Sequence, residues 1–289
     1  MKIYNLGSLN IDYVYSVDHF VQPGETISSL NLEIFSGGKG LNQSVALARA
    51  GACIIHGGLI GEDGLFLKQI LADSNADVSF VKILKERTGH AIIQVDSNGQ
   101  NNIILFSGSN HMFSEDYLDE FLASAQPDDI LLLQNETNCL KEAFEKAHQK
   151  GMQIAFNPSP FGKNILELPL SYVSWWFCNE IEGKELFGSD SPEEIMNTFS
   201  KKYPNSNLIL TLGKDGSIFK NEQQVIRQPI YEVKTVDTTA AGDTFTGYFL
   251  ANIANKKSIA DALDIAARAS SIAVSRKGAA PSIPYVHEL

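Results

Sequence analysis

In the stretch TVDTTAAGDTFTGYFL, residues 235–250, three small residues (Ala240, Ala241, Gly242) precede Asp243, and the apolar Phe245, Phe249 and Leu250 follow it. The β-branched run just before (Val233, Thr235, Val236) predicts a strand, so the chain should pass from strand to helix at Asp243. A carboxylate would then sit where free backbone N–H groups and the positive end of the helix dipole favour an anion. Small side chains let a phosphate approach that backbone closely. The N–H groups of Ala241, Gly242 and Asp243 could neutralise a migrating phosphoryl group while Asp243 takes the proton of an attacking alcohol. An isolated Asp in a first helical turn also has a plainer use, supporting its own helix, and this motif alone does not choose between the two.

A second candidate is Ser36-Gly37-Gly38-Lys39-Gly40-Leu41-Asn42-Gln43, which opens a helix with Leu41, Val45 and Ala48 on one face and a stop at Gly51. Glycines and a lysine at a helix start look like a phosphate cradle. Yet GxxxxGK followed by Ser or Thr occurs nowhere, and GxGxxG fails because Gln43 occupies its last glycine position. The loop offers close backbone approach, with Lys39 and Asn42 as donors, or it is a plain turn. Asn10 and Asp12, past the first strand, read either as caps of a strand-end turn or as polar groups converging on a ligand. Glu136 stands in the same relation to the buried run before it.

The elements that must position these groups alternate. Strands are expected over Lys2–Leu6, Ile54–Ile60, Ile130–Leu133, Gln153–Phe156, Val173–Phe177 and Leu208–Leu212, with helices between them. Such repeats imply an α/β fold, a mostly parallel sheet covered by helices on both faces. Asn98-Gly99 between AIIQVD and NNIILF predicts a hairpin over 88–108, and residues 24–36 alternate loosely like an exposed strand pair. These segments, drawn from about 11–36 and 88–108, are expected to form one small β-sheet projecting as a lid from a single domain, 1–289. Ser191-Pro192-Glu193-Glu194 reads as a capping box.

Composition narrows the classes of function. A net charge of −11, from 34 acidic against 23 basic residues with no long basic run, argues against a nucleic-acid binder. Cys53, Cys139 and Cys178 stand far apart without a CxxC, which suits reduced thiols and a cytoplasmic protein. No signal-peptide pattern and no apolar span near about 20 residues point to a soluble chain without a membrane partner.

DTTAAGD and GGKGLNQ together resemble the two signatures of the ribokinase-like (PfkB) carbohydrate kinases. The resemblance runs from Gly7 to Pro284 and is strongest to the ribokinase branch: GSLNID, PGET, FSGGKGLNQ, LLLQNE, NPSP, NEIE, TLGKDG, VDTTAAGDTF and AVSRKGAAPSIP occur in the family's order. It implies an ATP- and magnesium-dependent kinase that phosphorylates the 5-hydroxyl of D-ribose. By the same resemblance, Asn10, Asp12, Gly38, Lys39, Asn42 and Glu136 would hold the sugar hydroxyls. Asp243 would meet the primary hydroxyl as general base, and the backbone of Ala240, Ala241 and Gly242 would form the anion hole. Asn179 and Glu182 match an NxxE element that organises magnesium and phosphates, and Thr211, Gly213 and Gly216, with Gly242, match the nucleotide site. A potassium ion is implied beside the anion hole, at Asp237, Thr239, Ala273, Arg276, Gly278 and Ser282, mostly through carbonyl oxygens. A homodimer through the lid sheet is implied too, burying apolar residues such as Ile92, Ile104 and Phe106.

The chain departs from the family at Cys178, where many relatives carry proline, and at Ala267, where a polar residue near the adenine is common. Ala240 replaces a frequent glycine, as it does in the ribokinase branch. Other readings stay open: a sister kinase for deoxyribose, another sugar or a nucleoside, and a sugar-binding regulator without catalysis. Asp12, Glu136 and the GGKGLNQ loop read hydroxyls, which favours a free sugar over a nucleoside. A dehydrogenase is disfavoured by the failed GxGxxG pattern.

Overall fold

Apolar runs bounded by glycine and polar turns become the strands of a layered α/β structure; a computed structural model describes residues 1–289. In chain order the first elements are β1 (Ile3–Leu6), β2 (Asn10–Ser16), β3 (Asn31–Gly37), α1 (Lys39–Arg49), β4 (Ile54–Gly61), α2 (Leu65–Asp73) and β5 (Asp77–Leu84). Then come β6 (Gly89–Val95), β7 (Asn101–Phe106), α3 (Glu115–Phe121), β8 (Ile130–Gln134), α4 (Leu140–Gln149), β9 (Gln153–Asn157) and β10 (Val173–Asn179). The last third holds α5 (Glu180–Phe187), α6 (Pro192–Lys202), β11 (Asn207–Thr211), β12 (Ser217–Lys220), β13 (Val225–Gln228), α7 (Ala241–Ala254) and α8 (Ile259–Val274).

Nine strands form the main sheet in the order β13-β12-β11-β10-β9-β8-β1-β4-β5. All neighbours are parallel except β11-β12 and β12-β13. Alternate residues of each inner strand serve opposite cores. Ile3, Leu132, Ala155, Phe177 and Ile209 pack with α1, α7 and α8, while Tyr4, Leu133, Phe156, Trp176 and Leu210 pack with α3 to α6. Each core holds 34 buried residues, so neither face of the sheet is left to solvent.

The small sheet has four strands, β3-β2-β6-β7, with β2-β6 parallel and the other pairs antiparallel. Gly99, at φ 75, makes the expected hairpin turn between β6 and β7. Residues 24–36 do not pair with themselves. Only Asn31–Gly37 is a strand, and its partner is β2, at the start of the 11–36 stretch expected to give lid strands. A second expectation fails at 233–236, which is irregular: the N–H groups of Val236 and Asp237 bond to the carbonyl of Val274, at the end of α8, and not to a strand. At Ser191 the side chain does cap α6 through Glu194 N–H, but the Glu194 carboxylate turns to Ser189, so the box is not reciprocal.

Two glycine contacts set the helix positions. A Cβ on Gly40 would lie 2.4 Å from Gly7 Cα, so the start of α1 rests on the end of β1. A Cβ on Gly247 would lie 2.4 Å from Ala46 Cβ and 3.0 Å from the Gln43 carbonyl, so α7 presses against α1. Asp243, one turn upstream of Gly247, is thereby brought beside Asn42 and Gln43. No helix is long and apolar enough to cross a membrane.

Candidate active site

Asp243 is buried in the first turn of α7, and both carboxylate oxygens accept amide donors from α1. Asn42 Nδ2 reaches Oδ2 at 3.0 Å and Gln43 Nε2 reaches Oδ1 at 2.9 Å. Charge-assisted bonds of this kind fix the carboxylate's orientation. Asn42 is one of the residues singled out by sequence; Gln43 is not.

The backbone that leads into α7 is shaped for an anion. Ala240 lies in the left-handed region at φ 60, where glycine would be unstrained, and turns the chain abruptly into the helix. The N–H groups of Gly242 and Asp243 have no partner in the protein, whereas Ala241 N–H is engaged by the Thr238 carbonyl at 3.2 Å. The expected trio of free donors is thus a pair, with the third held in a weak turn bond. Gly242 faces open space, with nothing within 4 Å of a built Cβ.

Two cavities meet over this turn. The smaller, about 230 Å³, is polar and is lined by Lys39, Asn179, Glu182, Ala240, Gly242 and Asp243 among others. The larger, about 770 Å³, shares Asn179, Thr211, Thr238, Ala241 and Gly242 with it and opens between the irregular 229–235 segment and α8. Its wall carries Ile181, Ile230, Tyr231, Val233 and Ala267, a sheath fit for an aromatic ring. The irregular segment where a strand was expected therefore builds one wall of this cavity. Gly213 (φ 52) and Gly216 (φ 87) form the turn after β11, and a Cβ on Gly216 would lie 2.1 Å from the Gln228 carbonyl.

Asn179 and Glu182 make a capping box on α5. Asn179 Oδ1 accepts from Glu182 N–H and Glu182 Oε2 accepts from Asn179 N–H, each at 2.9 Å. Glu182 Oε1 takes no bond from the protein, on a residue that lines the smaller cavity. Lys39 carries the charge opposite these acids. Burial works to lower its pKa, but Asp243, Glu136 and Glu182 together hold it above the ordinary lysine value, so the ammonium persists.

On the other side of Lys39, Glu136 Oε2 accepts from Lys39 N–H at 2.9 Å and from Ser8 Oγ, capping α1 from a distant strand end. Gly38, at φ 94, holds the left-handed turn that begins this helix. Asp12 lies on β2 beneath Gly37, where a Cβ would come within 2.2 Å of its carboxylate. Burial, reinforced by Glu136, pushes the Asp12 carboxyl up to about 7. Asn10 Oδ1 accepts from Asn110 Nδ2 at 2.7 Å, and Asn110 also brackets the Leu9 backbone. Asn110, too, is missed by sequence reasoning, since it belongs to a short turn after the lid hairpin.

A separate oxygen cluster lies behind the anion turn. Asp237 Oδ1 accepts from Thr239 N–H and Oγ1 at 2.9 and 2.6 Å, and Oδ2 accepts from Gly278 N–H at 2.9 Å. Burial works to raise the Asp237 pKa, but these bonds and Lys277 bring it below the ordinary aspartate value. The carbonyls of Thr239, Arg276 and Gly278 receive no backbone hydrogen bond, while Ala273 O is taken by Arg276 N–H at 3.1 Å. Ser282 gives its hydroxyl hydrogen to Ala279 O, leaving its oxygen lone pairs available. One carboxylate with neutral oxygens suits a hard monovalent cation.

Comparison with known proteins places the chain in a family. Residues 2–285 match the pattern of the pfkB family carbohydrate kinases. A ribokinase of Haemophilus influenzae is 35% identical, with 98% of this chain and 95% of that protein covered. Among solved structures, the ribokinase of Thermotoga maritima superposes with a TM-score of 0.88 at 32% identity, covering 99% of this chain and 97% of the other. Arabidopsis thaliana ribokinase, complexed with ribose and ATP, gives a TM-score of 0.87 at 30% identity, covering 98% and 95%.

Proposed function

This chain belongs to the pfkB family of carbohydrate kinases, and from that premise we propose that it transfers the γ-phosphoryl group of ATP to the 5-hydroxyl of D-ribose. The observation that carries the reading is the position of Asp243. It lines the polar cavity together with Lys39 and the anion turn, the larger cavity shares Gly242 with that one, and Asn42, one of the residues expected to read the sugar, donates to its carboxylate. The relatives that bear the name ribokinase, one of them solved with ribose and ATP, support the choice of sugar and nucleotide.

In this reading the base of ATP occupies the larger cavity beside Ala267, with Thr211, Gly213 and Gly216 below it and the phosphates extending over Gly242. Asp243 accepts the proton of the primary hydroxyl as its oxygen attacks the γ-phosphorus. Gly242 and Asp243 N–H groups, with Ala241 nearby and the Lys39 ammonium opposite, neutralise the charge spread over the transferring group. Magnesium, when bound with ATP, supplies further neutralisation on the phosphates, and Asn179 and Glu182 would hold it through water. Potassium would be held by Asp237, Ser282 and the carbonyls of Thr239, Ala273, Arg276 and Gly278, stiffening the anion turn; replacing it by a bulky organic cation at constant ionic strength should lower the rate, and an unchanged rate would remove it.

The protein is expected to work in the cytoplasm as a homodimer. On one face of the lid sheet Leu32, Ile34, Ile92, Ile104 and Phe106 are exposed, with Ile104 at 63%, and a second copy would cover them. A monomeric sedimentation profile at micromolar concentration would exclude that assembly.

Ribose affinity should depend on pH through Asp12. Below about pH 7 its carboxyl is neutral in the free protein, and above it the ionised group accepts more hydroxyl donors. The KM for ribose should therefore rise as pH falls from about 8 to 6, by up to roughly tenfold over that span. Asp12→Asn should flatten that dependence, and an unaltered slope would clear Asp12 of the role. A panel of ribose, deoxyribose, hexoses and nucleosides, assayed by ADP release, tests the function as a whole; ribose should give the highest kcat/KM, and a nucleoside in first place would replace this reading with a sister activity.

A further inference from the structure

Behind Asp243 a row of polar side chains runs through the core: Gln43, Gln134, Asn5, Ser44 and His56 are buried, and Asn157 is half-buried at the edge of the smaller cavity. Gln43 Nε2 donates to Asp243 Oδ1 at 2.9 Å and to Asn157 Oδ1 at 3.2 Å. Gln43 Oε1 in turn accepts from Gln134 Nε2 at 2.8 Å, and the same Gln134 nitrogen donates to Asn5 Oδ1 at 3.0 Å. Asn5 Nδ2 donates to Ser44 Oγ at 2.8 Å, and Ser44 lies 2.7 Å from His56 Nδ1. Burial pushes His56 down to about 3, so it is neutral, and Asp243 carries the only formal charge in the row.

The direction of every amide follows from that charge. A carboxylate accepts only, so Gln43 must turn its NH₂ toward Asp243 and its oxygen away. That oxygen needs a donor, and Gln134 supplies it with one hydrogen while giving the other to Asn5. Were Gln134 absent, the Gln43 amide would lose the partner that holds it in this sense. Low-dielectric surroundings make each such choice costly to reverse.

We infer that Gln43, locked by Gln134, is the positioning residue that sets the orientation of the Asp243 carboxylate for proton transfer. The inference rests on Asp243 being the general base. Neither glutamine lines the two cavities, so both act through Asp243 rather than on substrate.

The test uses full-length protein carrying Gln43→Met, Gln134→Met or both, with Asp243→Asn as a separate control for the base. Gln43→Met should lower kcat by about 10- to 100-fold, as expected for a misaligned reacting group, with ribose affinity measured without ATP within about threefold of wild type. Gln134→Met should cost less, and the double variant should match Gln43→Met within about twofold, because the two act in series. Gln43→Glu adds a discriminating readout: its new carboxyl donates to Asp243 only when protonated, so its turnover relative to wild type should rise as pH is lowered from about 8 to 6. Wild-type turnover in Gln43→Met, multiplying losses in the double variant, or a flat pH ratio for Gln43→Glu would each overturn the inference. If Gln43→Met fails to fold, Gln134→Met decides, since unchanged kcat there also overturns it. An inactive Asp243→Asn with a fully active Gln43→Met would refute the positioning role while leaving the base intact; an active Asp243→Asn would refute the base itself.

Discussion

Asp243→Asn is expected to lower kcat by about 10³-fold, within the range of a lost general base, while ribose binding measured without nucleotide stays within about threefold. The carboxylate accepts from two amides at once, Asn42 on one oxygen and Gln43 on the other. Its amide replacement has a single acceptor oxygen, so one of these buried donors must lose its partner or face another N–H. The change should therefore also cost about 1–3 kcal/mol of stability. Folded variant protein with near wild-type ADP release would remove Asp243 from proton transfer.

Gly242→Ala should separate activity from stability in the opposite sense. A methyl group on Gly242 meets nothing within 4 Å and sits in the first turn of α7, where alanine favours the helix by up to about 1 kcal/mol. Thermal stability should hold or rise. Yet the free N–H of Gly242 opens where the two cavities join, and a phosphate drawn onto it would be displaced by the added carbon. The expected loss in kcat/KM for ATP is about 10- to 100-fold. Wild-type kinetics in this variant would mean that phosphates do not pass over this turn.

Much of the framework can be read from the chain because its signals are local. Buried strands such as Ile130–Gln134 are short apolar runs, Asn98-Gly99 marks its own hairpin, and small residues before Asp243 announce a helix start open to an anion. The family resemblance then assembled distant motifs into one site. What stayed hidden depends on partners far along the chain. Val233, Thr235 and Val236 have strand-forming side chains, but Val233 and Thr235 line a cavity and the Val236 N–H bonds to the Val274 carbonyl at the end of α8. The start of β2 is ambiguous in sequence because Asn10 and Asp12 favour turns, and pairing with β3 and β6 holds them extended. β5 and β13, at the two edges, mix polar and apolar residues and give no buried run. Gln43 gave one cue, a polar residue at the failed glycine position, but its contact with Asp243 spans 200 positions and follows from the pressing of Gly247 against α1.

The central claim is that this site moves a phosphoryl group from ATP to the primary hydroxyl of ribose. Phosphorus NMR of a reaction containing the protein, ATP, magnesium, potassium and D-ribose tests it most directly. A phosphate on C5 couples to two equivalent-order protons of a CH₂ group and should appear as a triplet-like signal growing with ADP. Absence of any sugar phosphate, or a doublet from phosphorus coupled to a single anomeric proton, would contradict the account.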